Sequence, residues 1–523
     1  MAIVISKKIF FLCLFIFVSL LGAEESLFIQ GVVYEDLDRD GNRGIQEPGI
    51  PGVMVSNQRE VVLTDEKGYY RLPLAEDCVI FITKPSEYDV SSSHLQLPQF
   101  YFLYKKNPSP ELYYKGIPVT QKVPESLDFA LYRSTKKDNF QILVLADPQS
   151  ETVQEIDYVR QDLVEEVAGK DMAFGVVLGD IVFDRPNLWD YHNPIMAQMG
   201  FPVYNALGNH DVNYDAADDD HSIETFCRIF GPNYYSFDYG QVHFIVLDSV
   251  HFFINKEKKA DYEGLLGEKQ LQWLRNDIAQ VPEEKLVVLC MHIPFDSYTA
   301  SGRRDAIGDR DKAYEILKHR KQVLALTGHN HQQEQNFYGK ENGWKGENPL
   351  HQIICTALCG AWWGGPLDER GVPLSYQQDG VPNGYYIFSF EGTKYTSTLK
   401  ISGKPADYQM QIHSPGGVLT KQEASKSNII VNVFDHNSKT RTFYSLDGGP
   451  FAPLENVYAK DPMAISLYSS DTTAKKPWVR AEKTWNIWKA PLPKLSEGAH
   501  RLRVQTTDQY GRTFESYRIF WVK

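Results

Sequence analysis

Three hydrophobic patterns follow one another along the chain. From about residue 27 to 134, short alternating runs such as Phe28–Tyr34 and Val61–Thr64 sit between polar turn clusters. That alternation predicts small β-structure. From about 137 to 400, continuous apolar runs take turns with amphipathic segments. Val153, Ile156, Val159, Leu163 and Val167 recur at helical spacing, with Gly169 as a stop, and Leu271, Leu274 and Ile278 mark a second helix. The continuous runs predict strands in sheets covered on both faces. From about 405 to 523 the strand pattern returns, with turns at Asp447-Gly448-Gly449 and Asp508–Gly511, and predicts a second β-sandwich. The polar stretch 421–428 reads as a linker. The expected architecture is an α/β centre, a β-sandwich flanked by helices, between two small β-domains.

Residues 1–23 stand apart. Lys7 and Lys8 precede a 13-residue apolar run, Ile9–Leu21, that is short for a membrane span. This predicts a signal peptide cleaved after Ala23, a periplasmic or extracellular destination and no membrane span in the mature chain. The competing reading is a retained N-terminal anchor. Composition is globular, with 42% hydrophobic and 23% charged residues, which argues against disorder. The formal charge of −13 becomes about −15 once Lys7 and Lys8 are removed, which disfavours a nucleic-acid scaffold or an anionic membrane as partner. Cys13 leaves with the leader. Cys78, Cys227, Cys290, Cys355 and Cys359 are too sparse for a disulfide scaffold and read as buried thiols. Cys355 and Cys359 are near enough to pair or to bind metal, but no further Cys or His stands at set spacing.

The chemistry collects in the middle region, where five predicted strands each end in residues able to bind metal. These ends are Asp147-Pro148-Gln149, Gly179-Asp180 with Asp184, Gly208-Asn209-His210-Asp211, His292, and Gly328-His329-Asn330-His331. A lone Asp after a strand is usually a helix cap and a lone His a structural residue. Five in series, three with an adjacent Gly, are harder to read that way. The carboxyl ends of parallel strands converge on one crevice, so strands sharing a sheet would bring these side chains together. Carboxylate, imidazole and amide oxygen without thiolate suit Mn, Fe or Zn. The donors outnumber the needs of one tetrahedral ion. Two ions would use them all, clamping a phosphoryl group and activating a bridging water.

These blocks resemble the calcineurin-like metallophosphoesterase family, whose blocks run D-x-H, G-D-x(2–3)-D, G-N-H-[DE], H and G-H-x-H. The likeness covers about residues 139 to 335. The order of regions also resembles a bacterial secreted subgroup with an added N-terminal β-domain and its own C-terminal domain. The resemblance implies a metal-dependent phosphoric ester hydrolase with two divalent ions and a bridging hydroxide. It implies that Asp147, Gln149, Asp180 and His331 hold the first ion, that Asp180 bridges, and that Asn209, His292 and His329 hold the second. His210 would contact phosphate and protonate the leaving oxygen, with Asp184 or Asp211 orienting its imidazole. Gln149 stands where the family usually has His. A neutral amide is a weaker ligand, so the first site would be looser or favour Mn or Mg.

Outside that core, Asp36, Asp38, Asp40 and Asn42, with Gly41 at the sixth position and Glu47 at the twelfth, fit a calcium loop without flanking helices. This segment resembles the calcium-binding B-type repeats of bacterial surface adhesins. The alternative is a solvated acidic turn. Trp362 and Trp363, in a Gly-rich loop, would either stack a sugar or base or seal the contact with the C-terminal region. Arg185, Arg303 and Arg304 would grip a second phosphate or form a rim of solvated charge. Substrate classes left open are phosphorylated small molecules, glycans, lipid headgroups and phosphoproteins. The competing function is a secreted binding module around a vestigial phosphoesterase core. A weaker third reading is a metal enzyme acting on non-phosphate esters.

Overall fold

The computed structural model describes residues 27–74, 77–135, 137–470 and 473–523. The expected signal peptide, residues 1–23, lies outside the described residues. No helix among them is long and apolar enough to cross a membrane.

The centre is two facing sheets. The first has five strands in the order 203–205, 174–177, 139–145, 384–391 and 394–401. The second has six, in the order 235–239, 242–246, 286–290, 323–327, 350–354 and 334–338. The site-bearing strands therefore do not share one sheet. Three lie in the first and two, 286–290 and 323–327, in the second. Within each sheet these strands run parallel, so the carboxyl ends still open on one rim. A parallel bridge between Ala146 and Ala357 ties the loops there. Aromatic rings fill the space between the sheets. Phe174 meets Phe244 at 5.1 Å and Phe237 at 5.2 Å, both edge to face, an arrangement that adds to the gain from area burial.

The helices cover the outer faces. The first covers Val153–Val159 and continues through one wide π turn, Arg160–Val164, to Val167. Ile156, Val159, Leu163 and Val167 are buried, and Gly169 reverses the chain at φ 76°. Thr152 and Glu155 form its capping box. Gly267–Ile278 buries Leu271, Leu274 and Ile278, as the spacing predicts.

Residues 28–133 form two four-stranded sheets. They share the core of the centre rather than standing off from it: Phe81 packs on Trp273 and Phe100 on Tyr235. Residues 410–522 form a sandwich of four and five strands with its own core around Ile429, Val431, Leu502 and Phe520. The stretch 421–428 is no linker. Lys421–Ala424 is a short capped helix inside this sandwich, and Asn428 starts a strand.

One buried charge cluster sets a pH window for the fold. The His243 ring lies between Asp238 (2.7 Å) and Asp277 (2.9 Å). Burial opposes its charge, but the two carboxylates outweigh that and hold its pKa at about 9. A raised folded-state pKa contributes stability in full below the ordinary value near 6.5, and the contribution fades as pH rises through about 9. The melting temperature should fall across that interval, and His243→Gln should flatten the fall. An unchanged slope would contradict the assignment.

Candidate metal centre

Three of the five blocks reach the rim through a backbone that ordinary residues avoid. Asp147, Gln149, Asp180, Asp184, His329 and His331 all have φ between 43° and 76°. Left-handed non-glycine residues cost of order 1–3 kcal/mol each and persist where surrounding structure fixes them. Here they turn side chains into the crevice instead of along the strands. Neighbouring glycines allow the close approach: a Cβ at Gly208 would lie 2.0 Å from Asp180 N, and one at Gly328 would lie 2.6 Å from Asp147 Oδ2.

The resulting cluster is rich in acceptors and poor in donors. His292 Nδ1 donates to Leu178 O at 2.8 Å, which turns Nε2 inward. That atom stands 3.1 Å from Asn209 Oδ1, 3.3 Å from Asp180 Oδ2 and 3.1 Å from His329 Nδ1. His329 Nε2 donates to Arg304 O at 2.9 Å, so its Nδ1 is a lone pair aimed at the same point. One proton on His292 cannot serve three acceptors at once. Asp180, His292 and His329 present ligand atoms within 4.8 Å of one another, and this donor set fits a divalent cation.

Beside it lies a second group. His331 Nδ1 donates to Gly360 O at 2.6 Å, leaving Nε2 facing Asp147 Oδ1 at 3.8 Å. Gln149 presents Nε2 to Asp180 Oδ2 at 3.2 Å, while its Oε1 accepts from the Cys359 thiol at 3.6 Å. All five described cysteines are buried. With the oxygen turned inward, the Gln149 amide, Asp147, Asp180 and His331 would make a second donor set sharing Asp180.

Burial shapes the charges. It pushes the Asp147 carboxyl up to about 7 and drops His331 to about 4 and His329, helped by His292, to about 3. Neutral imidazoles are the form that ligates metal; His292 is pushed the other way, up to about 9, because its burial is outweighed by Asp180 and Asp147. Burial works against Asp180 too, but His292 and His210 hold its carboxyl well below the usual range.

His210 stands at the edge of the group. Its backbone N–H donates to Asp180 Oδ1 at 2.8 Å, and its Nδ1 lies 2.7 Å from Asp184 Oδ1. Burial disfavours the imidazolium, yet Asp180 and Asp184 raise its pKa above the ordinary value. The ring stacks on Phe183 at 4.2 Å. Asp211 does not touch it. Its carboxylate accepts from the backbone of Ile181, Val182 and Gly208, so it braces the turns that present Asp180. Burial raises its pKa to about 8.

The crevice opens into a cavity of about 660 Å³ that includes Gln149, Asp180, Asn209, His210, His329 and His331 in its wall. Trp362 lines it, stacked on His331 at 3.9 Å and 14°. Trp363 does not: it is buried, and its Nε1 donates to Pro148 O at 2.9 Å. The adjacent residue faces the opposite way because both take left-handed backbone in one tight turn. Arg303 is paired with Glu263 and Arg304 with Asp261, and Arg185 donates to Glu151 O. No pattern in the sequence pointed to the rest of the wall. Tyr458, Lys460, Trp478 and Lys483 reach it from the C-terminal sandwich.

In the remote loop, Asp36, Asp38 and Glu47 gather carboxylate oxygens within 4.8 Å, with Asp36 and Glu47 buried. Asp36 accepts from Arg39 N and Gly41 N, and Glu47 from Leu37 N and Gly44 N. Asp40 instead accepts from Asn42 N at 2.7 Å, and the Asn42 amide donates to Asp40 O.

Comparison with known proteins adds three family matches in chain order. The N terminal of Calcineurin-like phosphoesterase matches residues 38–115, Calcineurin-like phosphoesterase matches 140–333, and the C terminal of Calcineurin-like phosphoesterase matches 353–514. A curated relative, "Probable inactive purple acid phosphatase 9" of Arabidopsis thaliana, is 28% identical over 219 residues, 37% of this chain and 30% of that protein. Similar solved structures include a dimetal phosphatase from Danio rerio (14% identity, TM-score 0.34, 51% of this chain and 100% of that one). Another is a purple acid phosphatase from yellow lupin, Lupinus luteus (12% identity, TM-score 0.37, 72% of this chain and 67% of that one).

Proposed function

The chain belongs to the calcineurin-like phosphoesterase family, and from that premise we propose that it hydrolyses phosphoric esters at the centre built on Asp180. The observation that carries this reading is the set of inward-facing acceptors on His329, Asn209 and Asp180 around His292 Nε2, which has at most one proton to offer them. Asp147, Gln149, Asp180 and His331 would hold one divalent ion, and Asp180, Asn209, His292 and His329 the other. Mn, Fe and Zn suit these donors, and the neutral Gln149 would tilt the first position towards Mn or Mg. Bound ions supply Lewis-acid polarisation of the phosphoryl oxygens and lower the pKa of bound water.

The chain's own residues do the rest. Asp180 and Asp184 favour the charged form of His210 against the cost of burial, which suits the ring to donate a proton. Asp184 fixes the ring through Nδ1, which leaves Nε2 to hold a phosphoryl oxygen and then protonate the leaving oxygen. Phe183 covers one face of the His210 ring and Trp362 one face of the His331 ring. Assays with aryl phosphate and bis-aryl phosphate in Mn, Zn or Fe test the reading. No turnover with any of them would favour a binding module around an idle core.

Two further parts belong to the proposal. Residues 1–23 direct export, so the mature protein should begin at Glu24 by N-terminal sequencing; a retained Met1 would contradict this. The loop carrying Asp36, Asp38 and Glu47 binds calcium, supported by two buried carboxylates that face each other. Calcium should raise the melting temperature, and Asp36→Asn should abolish the rise. Equal melting with calcium and with chelator would reject the loop as a calcium site.

A further inference from the structure

The wall contributed by the C-terminal sandwich carries a pair of facing lysines. Strands 455–460 and 483–491 pair antiparallel, with Lys460 directly opposite Lys483. Like charges in that position destabilise a sheet. Both lysines are exposed, both line the cavity above the candidate metal centre, and neither makes an ion pair among the described residues. The neighbouring cations differ. Arg480 is paired with Glu482, and Lys476 with Glu151. The two lysines place local positive charge on a wall that also carries Asp305 and the Arg480-paired Glu482.

Aromatic rings continue the same face. Tyr458 lies two residues before Lys460 and Trp485 two after Lys483, and all four are exposed, although the pairing shifts register between Val457 and Ala459. Tyr458 lines the cavity with the two lysines, and Trp485 lines a neighbouring hollow of about 440 Å³ that shares Tyr298 with it. The Tyr458 and Trp485 rings are 5.1 Å apart at 34°, and they stay 40% and 42% exposed. Lys483 Nζ sits 5.7 Å from the Tyr458 ring centre. This face is anchored to the catalytic domain. Glu482 N donates to Gln378 O at 2.8 Å, and the Tyr298 hydroxyl lies 3.3 Å from Thr484 Oγ1. The cavity of about 660 Å³ is in the size range that accepts a whole small molecule rather than a lone phosphate.

We infer that Lys460 and Lys483, with Tyr458 and Trp485, form a leaving-group subsite: the ammonium pair takes a second phosphate and the aromatic pair a flat ring. The substrate class is a phosphoric ester or anhydride whose leaving group is itself a ring-bearing phosphate, as in a nucleotide. This rests on the hydrolytic reading above. With ADP the oxygen of water bonds to the terminal phosphorus, and the bond from that phosphorus to the bridging oxygen breaks. The electron pair stays on AMP, giving AMP, inorganic phosphate and one proton.

The test compares ADP, pyrophosphate and p-nitrophenyl phosphate in the full chain, alongside calorimetric titration with AMP and adenosine. In Lys460→Ala/Lys483→Ala the ratio of kcat/KM for ADP to that for p-nitrophenyl phosphate should fall at least about tenfold, the scale of a lost charge-assisted hydrogen bond. AMP should bind about tenfold more weakly and adenosine no more weakly than before. Lys460→Arg/Lys483→Arg should restore both. In Trp485→Ala the ADP rate should fall relative to pyrophosphate. An unchanged ratio with unchanged AMP affinity in a folded double variant would overturn the phosphate half, and equal losses for ADP and pyrophosphate in Trp485→Ala would overturn the ring half. Turnover of none of the three, with AMP still bound through the lysines, would sink the hydrolytic reading and leave the subsite standing.

Discussion

His210→Gln should lower kcat for an alkyl phosphate by about 10²–10⁴-fold, the range for loss of a positioned acid. p-Nitrophenyl phosphate should lose far less, because its leaving oxygen departs as a stabilised phenolate and needs no proton. The contrast follows from geometry. His210 touches the cluster only through its backbone N–H on Asp180, and its ring is turned to Asp184 and Phe183. Its side chain is therefore free to act on substrate, and metal content should survive the substitution. Equal losses for the two substrates would show that His210 positions phosphate without protonating the leaving group.

Asp180→Asn should behave differently. This carboxylate receives the His210 N–H, the Gln149 amide and the inward face of His292, and it belongs to both candidate donor sets. Removing its charge takes away the anion that the cluster is arranged around. Changing an outer partner of a metal ligand typically costs 10–100-fold in affinity, so loss of the shared ligand should exceed about a hundredfold. Turnover of both substrates should fall to background together, with no dependence on leaving group. A variant that kept metal and lost activity only on alkyl phosphates would mean that Asp180 shapes His210 rather than the metal centre.

The candidate metal ligands could be picked out in the sequence because each follows an apolar strand, and strand ends of one polarity open on one rim. The division of those strands between two sheets could not be, since a strand buried on both faces reads as the same apolar run in either sheet. Asp211 and Trp363 show the limit of adjacency. Each neighbours a cavity residue in sequence, but a turn sends the next side chain the other way, Asp211 to backbone amides and Trp363 to Pro148 O. Lys460, Lys483, Tyr458 and Trp478 lay outside any motif. They sit in a β-pair and loop of the C-terminal sandwich, where exposed lysines and aromatics look like ordinary solvated positions until tertiary packing brings them to the cavity. The N-terminal sheets were legible as β-structure but not as an extension of the central core, because the pairing of Phe81 with Trp273 spans a distance no local pattern encodes.

The central claim is that side chains from two sheets converge to hold a pair of divalent ions around Asp180. Elemental analysis of purified chain, reconstituted with Mn, Zn or Fe and exchanged into metal-free buffer, measures this directly. The account predicts about two transition-metal ions per chain in the native protein and a loss of both in Asp180→Asn and in His292→Ala. Native protein that retains none under any of these conditions, or an Asp180→Asn protein that retains two, would contradict it.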